Sequence, residues 1–300
     1  MSVRIDGLLK GFMAAALALG GAAPAFADDD ERTPAEIIEA APADAWRTID
    51  PENTLLLEIA AGVIVIELRP DLAPAHVAQI KTLVRQGFYD GLGFHRVIEG
   101  FVAQGGDPKG DGTGDSELPD IPAEFAQDTA KIEGFTPIGR DRIAARVGFV
   151  DGVPVAAQPE SLRSFRADRT VSLWGLHCPG VMSMARSPDP NSANSQFFIV
   201  IGDARSNLDQ RYTVWGWIVD GFEHTRRILR GEPPTRQTKI VRARIAADVP
   251  VAERPRVEIL RTDSETFLAY IKAANLVREG FVRNMCGVKP IRRVDGQLEI

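Results

Sequence analysis

The hydrophobic pattern changes period several times along the chain. Leu55-Leu56-Leu57-Glu58-Ile59 and Val63-Ile64-Val65-Ile66-Glu67-Leu68 are short runs rich in branched residues, with only Ala60-Ala61-Gly62 between them. They read as a hairpin. Pro74 then opens a segment in which Val77, Ile80, Leu83, Val84 and Phe88 recur at helical spacing, with Gly87 near its end. A helix is expected there. Short strand-like segments follow at 94–98, 101–104, 181–184, 197–201 and 212–219. A second helix is expected over 222–229, and Ile240-Val241-Arg242-Ala243-Arg244-Ile245 alternates as a half-buried strand does.

Other stretches break this order. Residues 128–174 mix charges, Gly and Pro with little sustained periodicity, and read as a long, partly ordered insertion. Beyond Pro250 comes one more strand-like run, 256–261. Phe267, Tyr270, Ile271, Ala274, Val277 and Phe281 then mark an amphipathic helix whose apolar stripe needs a surface to cover. Residues 28–53 are polar and Pro/Ala-rich, with one short helix expected at 35–39. Many short strands, few helices and frequent turns favour a β-sandwich or a closed barrel, and periodicity does not choose between them.

The N-terminus reads as an address. Arg4 and Lys10 precede an apolar run over 11–23, and Ala25-Phe26-Ala27 then places small residues either side of a large one, as at a signal cleavage site. The run is shorter than the roughly 20 residues that span a bilayer, so cleavage after Ala27 is expected rather than a retained anchor. The mature chain would begin at Asp28-Asp29-Asp30 and work outside the cytoplasm, where thiols are oxidised. Cys178 and Cys286 are then either a bridge between the C-terminal extension and the rest or two free thiols. Spacing leaves both open.

Composition narrows the function. The 300 residues carry 35 Lys+Arg against 41 Asp+Glu, a net charge of −6, with 44% apolar residues. These are values of a globular chain, and the acidic excess leaves no footprint for nucleic acid. Four His and two Cys without a C-x-x-C pair argue against a zinc site. Gly110-Asp111-Gly112-Thr113-Gly114 lacks the Lys-Ser/Thr of a phosphate-cradling loop and reads as a plain connection. Asp107, Asp111 and Asp115 lack the twelfth-position Glu of a calcium loop. His177-Cys178 has no orienting acid in view, so a nucleophile is not assigned there.

Two segments carry the chemistry. The first is Phe94-His95-Arg96-Val97-Ile98-Glu99-Gly100-Phe101-Val102-Ala103-Gln104-Gly105-Gly106-Asp107. The second is Val181-Met182-Ser183-Met184-Ala185-Arg186, followed by Asn194-Ser195-Gln196-Phe197-Phe198-Ile199. Together, and in this order, they resemble the cyclophilin family of peptidyl-prolyl isomerases over roughly residues 54–246 less the insertion. Phe88-Tyr89-Asp90-Gly91 adds to the likeness. The resemblance implies a mainly β fold: a closed eight-stranded antiparallel barrel capped by two helices. The resulting organisation is a signal peptide (1–27), an N-terminal segment (28–53), an isomerase domain (54–249, insertion about 128–174) and a C-terminal extension (250–300).

The same resemblance implies roles. Arg96 is the expected catalytic donor, with Gln104 holding it and the substrate backbone. Phe101, Val102, Phe198 and Leu208 are expected to line a proline pocket, and Ala185 and Arg186 to offer backbone groups to an extended peptide with Gln196 nearby. Tyr212 stands where the family has a pocket His, and Asn207 where it commonly has an aromatic residue, so weak cyclosporin binding is expected. Arg186 replaces a common Asn, and His95 is expected to be structural. The expected activity is isomerisation of X-Pro bonds in exported, unfolded proteins in the periplasm, with no metal, nucleotide or organic cofactor. The alternative is a non-catalytic peptide-binding module or periplasmic chaperone on the same fold. A secreted hydrolase finds no supporting constellation.

Overall fold

The structure is a computed structural model that describes residues 32–299; the segment read as an export signal lies outside them. Its largest sheet is antiparallel and has eight strands. Their spatial order is Ile240–Ile245, Thr54–Ile59, Gly62–Leu68, Val214–Asp220, Val181–Met184, Phe197–Val200, Val102–Gly105 and Arg96–Ile98. The expected hairpin is present, with Leu55 opposite Ile66 and Leu57 opposite Ile64. These four share a core with Phe94, Met182, Met184, Phe197, Ile199 and Trp215. The residues between them, Leu56 and Val65, belong to a second core on the other face. Both faces of this hairpin are buried, which is why its sequence is almost continuously apolar instead of alternating. The outermost strands meet through their flanking residues: the Gly91 N–H donates to the Ile240 carbonyl at 2.8 Å and the Phe94 N–H to the Thr238 carbonyl at 3.0 Å.

The helix Pro74–Arg85 buries Val77, Ile80, Leu83 and Val84 in the first core. Ala73 at its N-cap has no side-chain acceptor. Glu124 supplies one from a distance, accepting from the Ala75 and His76 N–H groups at 3.1 Å each and lying 2.6 Å from His76 Nδ1. A carboxylate at this end satisfies free donors and suits the helix dipole. The second expected helix is only a 3₁₀ turn, Phe222–Arg227. Thr225 turns its hydroxyl back to the Phe222 carbonyl at 2.7 Å, a local bond that competes with helix propagation.

The insertion is more ordered than its pattern suggested. It forms a five-stranded antiparallel sheet in the order Gln127–Asp128, Ser172–Gly175, Val153–Ala157, Arg146–Val150, Phe135–Gly139. Val147, Phe149, Val150, Val153, Val155, Ala156 and Ala157 are all fully buried in the second core. Strands buried on both faces carry no period-two signal, and Pro137 and Pro154 within them disguise the rest.

Both ends of the described chain build a third sheet: Trp46–Thr48, Val257–Leu260, Arg292–Val294 and Gln297–Glu299. The C-terminal helix stops at Ala273 instead of continuing to Phe281. Asn275 takes a left-handed φ of 52°, a common way to end a helix. Val277–Arg278 and Phe281–Val282 then pair as a small hairpin. Phe267 from this helix packs edge-on against Phe149 of the insertion at 5.4 Å. Cys178 and Cys286 are bridged, with their Cα atoms 5.1 Å apart. Cys286 lies in the turn Met285–Gly287, past the helix. No helix among the described residues is long and apolar enough to cross a membrane.

Candidate active site

Sheet register assembles the site. Arg96 lies opposite Gln104, Gln104 opposite Phe198, and Phe198 opposite Ser183. Directly paired residues share a face, so one row across four strands carries a cation, an amide, an aromatic ring and a hydroxyl. Successive residues point to opposite faces. Phe197 therefore enters the first core while Phe198 enters the second.

On this face lies a small cavity of about 160 Å³ lined by Arg96, Phe101, Val102, Gln104, Ala185, Arg186, Phe198, Leu208 and Tyr212. Phe198 and Tyr212 meet edge-on at 5.6 Å. Leu208, buried, comes from the helical turn Arg205–Leu208. The Arg96 guanidinium donates through Nε to Glu232 at 2.8 Å and through Nη1 to Gln104 Oε1 at 3.4 Å. Its Nη2 has no partner among the described residues. Gln104 passes the chain on, donating to Gln196 Oε1 at 3.1 Å, and Gln196 donates to the Gly114 carbonyl at 2.8 Å. Gln196 lines an adjoining cavity of about 360 Å³ together with Gln104, Ala185 and Arg186.

Ala185 and Arg186 both line the cavity. The Ala185 N–H donates to the Gln196 carbonyl at 2.8 Å, so it is not available to a peptide. The Arg186 side chain is turned back: it lies over the Tyr212 ring at 4.6 Å and donates to the Arg211 carbonyl at 2.9 Å. Asn207 is exposed and accepts from the Ser206 hydroxyl at 2.9 Å, leaving no aromatic ring at its position.

Behind the pocket is a polar chain that the sequence reading missed. His177 stacks on Phe198 at 6.1 Å and has the orienting acid it was thought to lack. Its Nδ1 is 3.0 Å from Asp209 and its Nε2 is 3.0 Å from Ser183 Oγ. Asp209 also accepts from Arg205 Nε at 3.4 Å, and Arg205 donates to Asp141 of the insertion at 2.6 Å. This serine, histidine and aspartate do not make a hydrolase. Ser183 and His177 are fully buried and Ser183 donates to the Thr213 carbonyl, while Cys178 is consumed by its bridge. Burial pushes the Asp141 carboxyl up, but Arg205 and the N–H groups of Ala144 and Ile143 outweigh it, so its pKa is lowered.

His95, next to Arg96, is 4% exposed and neither ring nitrogen has a partner among the described residues. Burial lowers its pKa, with Asp107 opposing and Arg96 reinforcing the shift. The loop from Gly110 to Gly114 folds around Asp107, whose carboxylate accepts from the N–H groups of Lys109 and Asp111 at 2.8 and 2.9 Å. Asp209 lies between Leu208 and Tyr212, both expected at the pocket, but carried no signal of its own. Glu232 had no local signal, being 136 residues from the arginine it meets.

Comparison with known proteins identifies the family and the fold. A sequence model described as cyclophilin type peptidyl-prolyl cis-trans isomerase/CLD matches residues 54–245. A probable peptidyl-prolyl cis-trans isomerase of Brucella suis biovar 1 (strain 1330) is 39% identical over 215 residues, covering 66% of this chain and 85% of the relative. Peptidyl-prolyl cis-trans isomerase B of Bacillus subtilis (strain 168) is 32% identical over 169 residues, covering 56% of this chain and 85% of the relative. The crystal structure of cyclophilin AquaCyp293 from Hirschia baltica superposes with a TM-score of 0.73 at 35% identity, covering 83% of this chain and 93% of that one. With the row of Arg96, Gln104 and Phe198 set beside a small cavity and the family match over most of the chain, the protein belongs to the cyclophilin-type peptidyl-prolyl cis-trans isomerases.

Proposed function

We propose that the chain isomerises X-Pro bonds by donating a hydrogen bond from Arg96 to the prolyl nitrogen. Rotation about a peptide C–N bond faces roughly 18–20 kcal/mol because resonance gives it double-bond character. No nucleophile is required. Twisting the amide localises a lone pair on nitrogen, and a fixed donor aimed at that nitrogen binds the twisted state better than either planar isomer. The observation that carries this reading is the Nη2 of Arg96, unpartnered among the described residues, at a cavity of about 160 Å³ that Phe101, Val102, Phe198 and Leu208 line beside the polar side chains of Arg96, Gln104 and Arg186. In this reading the pyrrolidine ring enters the cavity and Gln104, bridging Arg96 to Gln196, keeps the donor plane in register.

The substrates are X-Pro segments of unfolded exported proteins, and the place of work is the periplasm. The basic, apolar and small-residue pattern of residues 1–27 supports this. Cyclosporin binds weakly, since Asn207 offers no ring to pack on it; tight binding in a titration removes that part of the reading.

The test is an exchange assay on an Ala-Pro-Phe-type peptide. Arg96→Ala lowers kcat/KM by at least about 100-fold, the loss typical of removing a transition-state donor. Arg96→Lys does not restore it, because an ammonium lacks the planar donor geometry. Peptide binding without acceleration by the parent chain would instead support the non-catalytic module.

A further inference from the structure

Arg96–Ile98 is the last strand of the eight-stranded sheet, so Arg96 has a cross-strand neighbour on one side only. Gln104 occupies that side. The other side is covered by the segment that follows Arg230. Gly231 exchanges both backbone hydrogen bonds with Val97, at 2.8 and 2.9 Å. Val97 directly follows Arg96, so this pairing sets the next residue, Glu232, beside the guanidinium. Glu232 Oε2 accepts from Arg96 Nε at 2.8 Å.

A surface ion pair of this kind contributes little to stability, about 0–1 kcal/mol, and these side chains are 39% and 52% exposed. Its value lies in geometry. A guanidinium that donates at Nε to Glu232 and, at 3.4 Å, at Nη1 to Gln104 has its plane set by two contacts, and the nitrogen left over among the described residues is Nη2. We infer that Glu232 is a positioning residue for the isomerisation: it locks the plane of Arg96 so that Nη2 presents its hydrogens to the twisted imide. This rests on the catalytic reading of Arg96 given above. It concerns orientation, not the negative charge, since any good acceptor at the same place would serve.

The test compares Glu232→Ala with Glu232→Gln in the peptide exchange assay, using the full described chain. Misplacing a reacting group by about 1 Å costs up to roughly 100-fold in rate. Glu232→Ala is expected to lower kcat roughly tenfold with little change in KM, and Glu232→Gln, whose amide oxygen still accepts from Nε, to stay within about threefold of the parent. The Nε–H resonance of Arg96 provides a second readout: protected from exchange in the parent and in Glu232→Gln, and lost to exchange in Glu232→Ala. Parental or faster turnover in Glu232→Ala overturns the proposal, and so does Glu232→Gln failing as badly as Glu232→Ala. Circular dichroism confirms that each variant is folded. Arg96→Ala in the same assay separates the two ideas. If it is inactive while Glu232→Ala is unaffected, only the positioning role falls; if it retains full activity, both fall.

Discussion

At the scale of single residues, the site depends on where charge is withheld as much as where it is placed. His95 is buried beside a permanent cation with no hydrogen-bond partner for either nitrogen among the described residues. Its folded-state pKa is lowered, chiefly by burial. In the unfolded chain it titrates near the ordinary value of about 6.5, so on acidification the unfolded state takes up the proton first. Stability is therefore fully present above that value and is lost as pH falls from it toward the lowered folded pKa. Thermal unfolding followed from pH 8 downward should show a midpoint that falls below about pH 6.5, with His95→Asn flattening this part of the profile. An unchanged slope in the variant would show that the proton goes elsewhere. The roles of neighbouring residues were unequally legible. Arg96, Gln104 and Phe198 stand in contiguous motifs, whereas Glu232 is brought to Arg96 by a backbone pairing that no local pattern announces.

At the scale of elements, the insertion reaches the cavity beside Arg96 through charge. Asp141 holds Arg205, Arg205 holds Asp209, and Asp209 orients His177 against the back of Phe198. The Arg205 and Asp141 side chains are only 5% and 6% exposed. Removing one partner of a buried pair strands the other charge and costs about 3–5 kcal/mol. Asp141→Ala leaves Arg205 only its longer contact to Asp209, and is accordingly expected to lose up to about 3 kcal/mol of stability in urea unfolding. It is also expected to raise KM for the proline peptide, because the turn carrying Leu208 loses its anchor. A stable variant with parental KM would disconnect the insertion from the pocket. The insertion's strands escaped the sequence reading because burial on both faces erases alternation. The C-terminal helix was overextended because Val277 and Phe281 continue the apolar spacing past the left-handed Asn275, which ends the helix.

At the scale of the whole molecule, the two ends of the described chain and the insertion wrap one outer side of the eight-stranded sheet, and the second core is common to all of them. The Cys178–Cys286 bridge ties this wrapping to the barrel one residue from His177, closing a loop of 108 residues in sequence separation. Cross-links over loops of this size usually contribute about 2–5 kcal/mol. Cys286→Ser should lower the thermal midpoint. A reductant should lower that of the parent by the same amount and leave the variant where it is. No response of the parent to reductant would mean that the sulfurs are not joined.

The amino-acid sequence alone determined where the strands and helices of the 54–246 region outside the insertion run, because runs of branched residues and helical spacing are written between neighbours. It also determined most of the residues that line the pocket, because Arg96, Phe101, Val102, Gln104, Ala185, Arg186 and Phe198 lie in short contiguous runs. Tertiary structure alone decided what stands on the open edge of the Arg96 strand, that the cysteines meet, and that a patternless insertion is a sheet with a buried salt bridge to the pocket. These depend on contacts between segments tens to hundreds of residues apart. Local periodicity states how a segment will be buried, but not which distant segment will bury it.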